Sequence, residues 1–263
     1  MHRIMEPPIH HHASDGTTSV GLGWDAGWSI RSASLTAGVA ILLMSVLAGF
    51  GSFVAVQGLV TEGNAAQTAK DITGSDGLFR LGIVSLFLVV ALDVVVAWAL
   101  YRVFSPVSRS LSMLAACFRL VYAGVFLVAV GQLLGVLHLL GNDPYLLVFS
   151  AEQLHAQALS GIGTFNDVWA AGLVLFGLHL LVIGYLAYRS GYVPRFLAVL
   201  LAIAGLGYVV DSFGAVLARG PGTAVSSFTF IGEFLLALWL LIWGRRLTLT
   251  GSGLHEDSIV VAQ

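Results

Sequence analysis

A bundle of six membrane-spanning helices is the all-α fold this sequence predicts, and three observations carry the prediction. Hydrophobic residues fill 57% of the 263 positions and charged residues only 10%, whereas a soluble domain has about 45–50% and about 25%. The apolar residues fall in runs of span length, since about 20 of them cross roughly 30 Å of hydrocarbon. Lys and Arg collect in alternate connections between those runs. The same composition excludes other classes. With 12 Lys plus Arg against 14 Asp plus Glu and a net charge of −2, no basic field exists to hold a nucleic acid. A single cysteine, Cys117, excludes an internal disulfide framework and a Cys-based zinc site. The implied partner is the lipid bilayer.

Residues 1–32 form a polar, turn-rich tail with Pro7, Pro8, Gly16 and Gly21, too long and too mixed for a secretory signal. His10, His11 and His12 are read as part of that tail, so no metal is assigned. A single membrane domain covers 33–247, with spans at about 35–59, 80–104, 110–140, 166–188, 195–217 and 224–244. Residues 248–263 form a second tail. Two connections are longer than the others. In 61–78 the run from Asn64 to Lys70 predicts a short helix ended by Gly74. In 141–165, Gly141-Asn-Asp-Pro144 predicts a turn, and Ser150 with Gln153 predicts a capping box that opens a short interfacial helix over 151–160.

Orientation follows from the basic residues of the short connections. Arg3, Arg31, Arg102, Arg109, Arg189, Arg195, Arg245 and Arg246 fall on one side, eight in all, against Lys70, Arg80 and Arg219 on the other. Arg119 lies within a span. Both tails are therefore expected in the cytoplasm.

Ionisable residues inside spans are costly, and each is a functional hypothesis. They are Asp93, Arg119, His179, Asp211 and Glu233, with His138 near an outer end. At about 1.5 Å per residue, Asp93, Arg119, His179 and Glu233 lie roughly 14–18 Å from the basic rim, in one layer. Asp211 lies about 24 Å up. Asp93 and Arg119 are each thirteen residues from Pro106, so the hairpin sets them level for an ion pair. Asp211 and Glu233 flank the turn at Gly220-Pro221-Gly222 within about one helical turn in depth. Two close carboxylates in low dielectric would share a proton.

Other signals carry less. Glu152-x-x-His155 lacks the second copy and further Glu residues of a di-iron bundle and reads as a solvated face. No H-E-x-x-H and no phosphate-binding glycine motif occurs. Gly131-x-x-x-Gly135 reads as a close-packing helix face, and Gly205 and Gly207 either pack tightly or leave room for a ligand. The second, fourth and sixth spans all end in an aromatic–Arg run, as in Trp98-Ala-Leu-Tyr-Arg102, a faint internal echo of the kind transporters carry.

Longer motifs resemble a specific family. Phe176-Gly-Leu-His179, Gly184-Tyr-Leu-Ala-Tyr-Arg-Ser-Gly-Tyr-Val-Pro-Arg195, Ala204-Gly-Leu-Gly-Tyr-Val-Val-Asp-Ser-Phe213 and Gly232-Glu233 with Trp239 carry the resemblance. Leu92-Asp93, Pro106-Val-Ser-Arg109 and Phe118-Arg119-Leu add to it. The chain is similar over about 33–247 to the bacterial membrane-protein family catalogued as domain of unknown function 4386. The resemblance implies a six-helix inner-membrane protein and lends no activity and no cofactor.

Three functions are compatible with these residues. The first is a midplane pocket of Asp93, Arg119, His179 and Glu233 that binds a lipophilic or amphiphilic small molecule. That pocket is open to acid–base chemistry, with His179 as base and Glu233 as acid. The second is a small proton-coupled carrier using Glu233 and Asp211. The third is a structural or envelope-stress protein whose charged layer only fixes helix packing. Composition assigns no oligomeric state.

Overall fold

The computed structural model describes residues 29–141, 143–217 and 226–244. Most of both tails, including His10–His12, and the Gly220–Gly222 turn lie outside the described residues. Every regular element among those described is helical. Five helices are long and apolar enough to cross a membrane, and Ile231–Ile242 is a shorter apolar stretch in the sixth position. The chain is an integral, multi-pass membrane protein.

Helix α1 runs over Ile30–Gly49 and starts five residues before the apolar run predicts. The Ser29 hydroxyl accepts from the Ser32 amide, satisfying one of the orphan donors of the first turn, so the polar residues ahead of the apolar run also coil. The span continues through a π-helical stretch, Phe50–Val56, and a 3₁₀ turn to Leu59. Helix α2, Ala65–Gly74, is the expected short helix, opened by the Asn64 side chain accepting from the Gln67 amide.

The long spans follow as α3 (Asp76–Phe104), α4 (Arg109–Leu139), α5 (Ala151–Ser190), α6 (Arg195–Leu217) and α7 (Ser226–Ile242). The capping box forms at Ser150 and Gln153 as the sequence predicts. The short helix over 151–160 is not a separate element, however. It runs without a break into the fourth span to give one helix of 40 residues. Nothing between 160 and 166 interrupts helical hydrogen bonding, because Gly161 and Gly163 weaken a helix by only about 1 kcal/mol each and tertiary contact outweighs them. Helix α5 ends where Gly191 takes a left-handed conformation at φ 73°.

The six spans form a closed ring. Helix α1 packs on α3, α3 on α4, α4 on α5, α5 on α6 and α6 on α7, and α7 returns to α1. A methyl group on Gly38 would stand 2.6 Å from Leu241, and one on Gly244 would stand 2.6 Å from Ser34. The start of α1 and the end of α7 therefore meet at one end of the bundle. Close approach recurs at α5 and α6, where a Cβ on either Gly177 or Gly205 would lie 2.6 Å from the other's carbonyl oxygen. Gly205 thus serves packing. Gly131 and Gly135 differ, with nothing within 4 Å of a Cβ at either position. Their expected close contact is not made inside this chain.

The end opposite the α1–α7 junction is covered. Helix α2 lies against the extended part of α5, and Gln57 at the end of the first span donates to Asn166 of α5 at 3.0 Å. Below that cover a layer of aromatic side chains joins α4 to α5. Tyr122, Phe126, Phe165, Trp169 and Phe176 contact one another at centroid separations of 4.9–6.5 Å. Trp169 donates its indole N–H to the Tyr122 hydroxyl at 3.1 Å. At the other end, the Tyr192 hydroxyl donates to the carbonyl of Val103 at 2.8 Å, satisfying an acceptor in the last turn of α3.

Candidate functional site

Between the aromatic layer and the lower core sits Arg119, fully buried and projecting from α4 into the ring. Its partners come from four other helices. Nε donates to Asp93 Oδ1 of α3 at 2.8 Å. Nη1 donates to Glu233 Oε1 of α7 at 2.8 Å and faces His179 Nε2 of α5 at 3.2 Å. Nη2 reaches only the thioether of Met44 of α1, at 3.9 Å, which is a weak acceptor. The ring of Phe176 flanks the guanidinium at 5.2 Å from Cζ and supplies a cation–π contact.

The sequence brings these groups level by simple register. The α3–α4 hairpin turns at Ser105–Val107, so positions equally distant from the turn meet, and the expected Asp93–Arg119 ion pair forms. Helix α7 is held on α6 by Gly232, where a Cβ would stand 3.1 Å from the Leu200 backbone. Glu233, the next residue, consequently turns towards Arg119. His179 is fixed from its other nitrogen: Nδ1 lies 2.8 Å from the Ala115 carbonyl oxygen, which can only accept, so Nδ1 carries the proton. Nε2 then offers its lone pair to the arginine, and the imidazole is neutral in this arrangement.

Asp93, Arg119 and His179 are 0% exposed, while the Glu233 side chain is 17% exposed. Glu233 and the half-buried Met44 are thus the partly exposed members of the site, on the neighbouring helices α7 and α1. Asp211 stands half-buried on α6 and is not among the groups that receive a hydrogen bond from Arg119. Of the five intramembrane residues singled out from sequence, the structure gathers three, Asp93, His179 and Glu233, around the guanidinium of a fourth, Arg119. It adds Met44, Phe176 and the Ala115 carbonyl, which sequence reasoning missed. A methionine, a phenylalanine and a backbone oxygen in apolar runs carry no signal of their own.

Two features set this cluster apart from a closed structural network. The first is charge: two carboxylates face one guanidinium. The second is an unused half of a fork. Nε and Nη2 share one edge of the guanidinium and would normally grip both oxygens of a carboxylate in parallel. Here only the Nε–Oδ1 bond is made. Among the described residues, Asp93 Oδ2 is buried without a hydrogen-bond partner, and Nη2 has only sulfur in reach. A buried charged oxygen without a partner is costly, on the order of 1–3 kcal/mol or more. Among the described residues no group of three or more His, Cys, Asp or Glu side chains is arranged to hold a metal ion.

Comparison with known proteins places the chain in a family and adds no chemistry. An uncharacterised protein of the archaeon Archaeoglobus fulgidus is 38% identical over 168 residues, covering 63% of this chain and 85% of the relative. No solved structure matches the chain. The sequence profile described as Domain of unknown function (DUF4386) matches residues 36–244, a stretch that begins within the first span and contains Arg119 and each of its partners. On that match the chain belongs to the DUF4386 family.

Proposed function

We infer that the protein binds a small amphiphilic molecule in the middle of the membrane, holding its polar end at Arg119. One observation carries this reading: among the described residues Asp93 Oδ2 is buried and unpaired, and Nη2 of the guanidinium that Asp93 binds has no oxygen partner. A cluster that served packing alone gains by closing the fork, since two parallel hydrogen bonds to a carboxylate hold better than one. The site is approached from the bilayer, where Glu233 is partly exposed, and the aromatic layer with α2 shields its other end. Binding is better supported than acid–base chemistry, since the His179 lone pair is engaged by Arg119. The excess of basic residues around the α1–α7 junction favours that end as cytoplasmic in a plasma membrane.

The test is mass spectrometry of small molecules retained through gentle purification, comparing wild type with Glu233→Gln. A specific lipid-soluble compound present in the wild type and depleted in the variant is the expected result. Bulk phospholipid alone in both preparations would sink the reading. The surplus carboxylate favours a second reading, a proton-coupled carrier. In that case liposomes bearing the protein acidify in response to a substrate gradient, and Glu233→Gln abolishes the response.

A further inference from the structure

We propose that the head group recognised at Arg119 is an uncharged hydroxyl, inserted between Arg119 Nη2 and Asp93 Oδ2 in place of the Met44 thioether. The proposal rests on the amphiphile-binding reading above and specifies its chemistry. The two vacant positions are of opposite kind: Nη2 can only donate and a carboxylate oxygen can only accept. A hydroxyl accepts from the first and donates to the second. A carboxylate head group could accept from Nη2, but it would confront Asp93 and Glu233 with a third negative charge and leave Oδ2 without a donor. An ammonium could donate to Oδ2, but it would place a positive charge against Nη2. Of these three head groups, the hydroxyl alone is both donor and acceptor and adds no charge to the site.

Met44 identifies the way in. Its sulfur stands 3.9 Å from Nη2, its side chain is half-buried, and an unbranched thioether repacks easily. It belongs to α1, and with Glu233 of α7 it flanks the seam between those two helices. An alcohol arriving through that seam displaces sulfur, a poor acceptor, with oxygen, a good one. Its hydrocarbon chain remains beside apolar residues such as Ile231 and Phe234, which are 44% and 37% exposed on α7.

The test uses the full-length protein in nanodiscs with a photoactivatable long-chain alcohol, mapped by peptide mass spectrometry. Unlabelled competitors of matched chain length carry a hydroxyl, a carboxylate or an amine. The expected result is saturable labelling of peptides containing Met44 or Glu233, with the alcohol competing at about a tenfold lower concentration than the acid or the amine, the effect of one hydrogen bond to a charged group. Asp93→Asn replaces the vacant oxygen with an amide donor and removes one negative charge, so the acid should then overtake the alcohol. The wild-type ranking decides by itself if that variant fails to fold. An acid or amine that equals the alcohol in wild type overturns the hydroxyl assignment while leaving an amphiphile site standing. Labelling confined to other helices overturns the proposed position. No saturable labelling by the alcohol and no competition from any of the three removes the binding site altogether.

Discussion

Replacing Arg119 with methionine tests whether one guanidinium holds the ring together. Methionine keeps an unbranched side chain of comparable reach but carries no donor, so Asp93 and Glu233 are left as buried carboxylates without their cation. Breaking a buried ion pair from one side costs about 3–5 kcal/mol, and in a chain of this size each kcal/mol lowers the melting midpoint by about 2–4 °C. A fall of roughly 6–20 °C follows from the two figures together. The Glu233 side chain is 17% exposed and the Asp93 side chain is fully buried, so the larger share belongs to Asp93. The assay is the fraction of monodisperse protein surviving heating, read by gel filtration in detergent. Adding Asp93→Asn and Glu233→Gln to Arg119→Met removes every formal charge from the cluster and should restore at least half of the loss. A single variant as stable as wild type, or a neutral triple variant no better than the single, would refute the reasoning. The first outcome would mean that the carboxylates are not held charged by Arg119, and the second that the loss comes from packing.

Other expectations separate packing from chemistry. Tyr192→Phe removes the hydrogen bond to the Val103 carbonyl and should cost about 1 kcal/mol of thermal stability. Burial raises the Tyr192 hydroxyl above the usual phenol range. The folded state therefore keeps its proton at pH values where the unfolded chain loses it, and the contribution is intact below the ordinary phenol pKa and declines as pH rises past it. Heating curves at alkaline pH should show that decline in wild type and a smaller one in Tyr192→Phe. Gly177→Ala drives a Cβ to within 2.6 Å of the Gly205 carbonyl oxygen and should destabilise the protein by about 1–3 kcal/mol. Gly131→Ala meets nothing within 4 Å and should leave the monomer's melting midpoint unchanged or slightly raised. Ser150→Ala deletes the capping box at the head of α5 and should cost about 1 kcal/mol.

Much of the architecture was legible because a bilayer imposes a strict code. Backbone groups in hydrocarbon must bond within the segment, so each long apolar run can only be a helix, and the ends of α4 and α6 fall within a residue of the apolar boundaries. Depth was legible too, because a straight helix converts residue count into distance. Asp93, Arg119, His179 and Glu233 were placed in one layer by counting from arginines at the rim, and they do converge. Rotation about each helix axis was not legible. The spans are apolar on nearly every face, so periodicity does not say which side of α6 carries Asp211 or that Glu233 looks across to α4. The same blindness hides Met44. It also hides the unbroken α5, since a capped amphipathic turn and the start of a span look alike when no proline separates them.

The cluster combines two demands that pull apart. A ring of six helices needs something at its centre, and a guanidinium with five donors in a plane can tie together helices that do not touch one another: α4 reaches α7 and α1 through Arg119, although its packing neighbours are α3 and α5. For that purpose alone, the best arrangement saturates all five donors with the available oxygens. Asp93 has a second oxygen to give, on the fully buried side chain nearest to the free edge, yet Nη2 meets a sulfur from α1 instead. Glu233, which does bond, is the carboxylate that remains partly exposed. The unpaired oxygen of Asp93 therefore lies on a fully buried side chain, while Nη2 and Glu233 lie on the α1–α7 side. On the amphiphile-binding reading proposed above, the unpaired oxygen inside and the partly exposed carboxylate beside it are the two ends of a route by which a polar head group would be drawn inward from the bilayer.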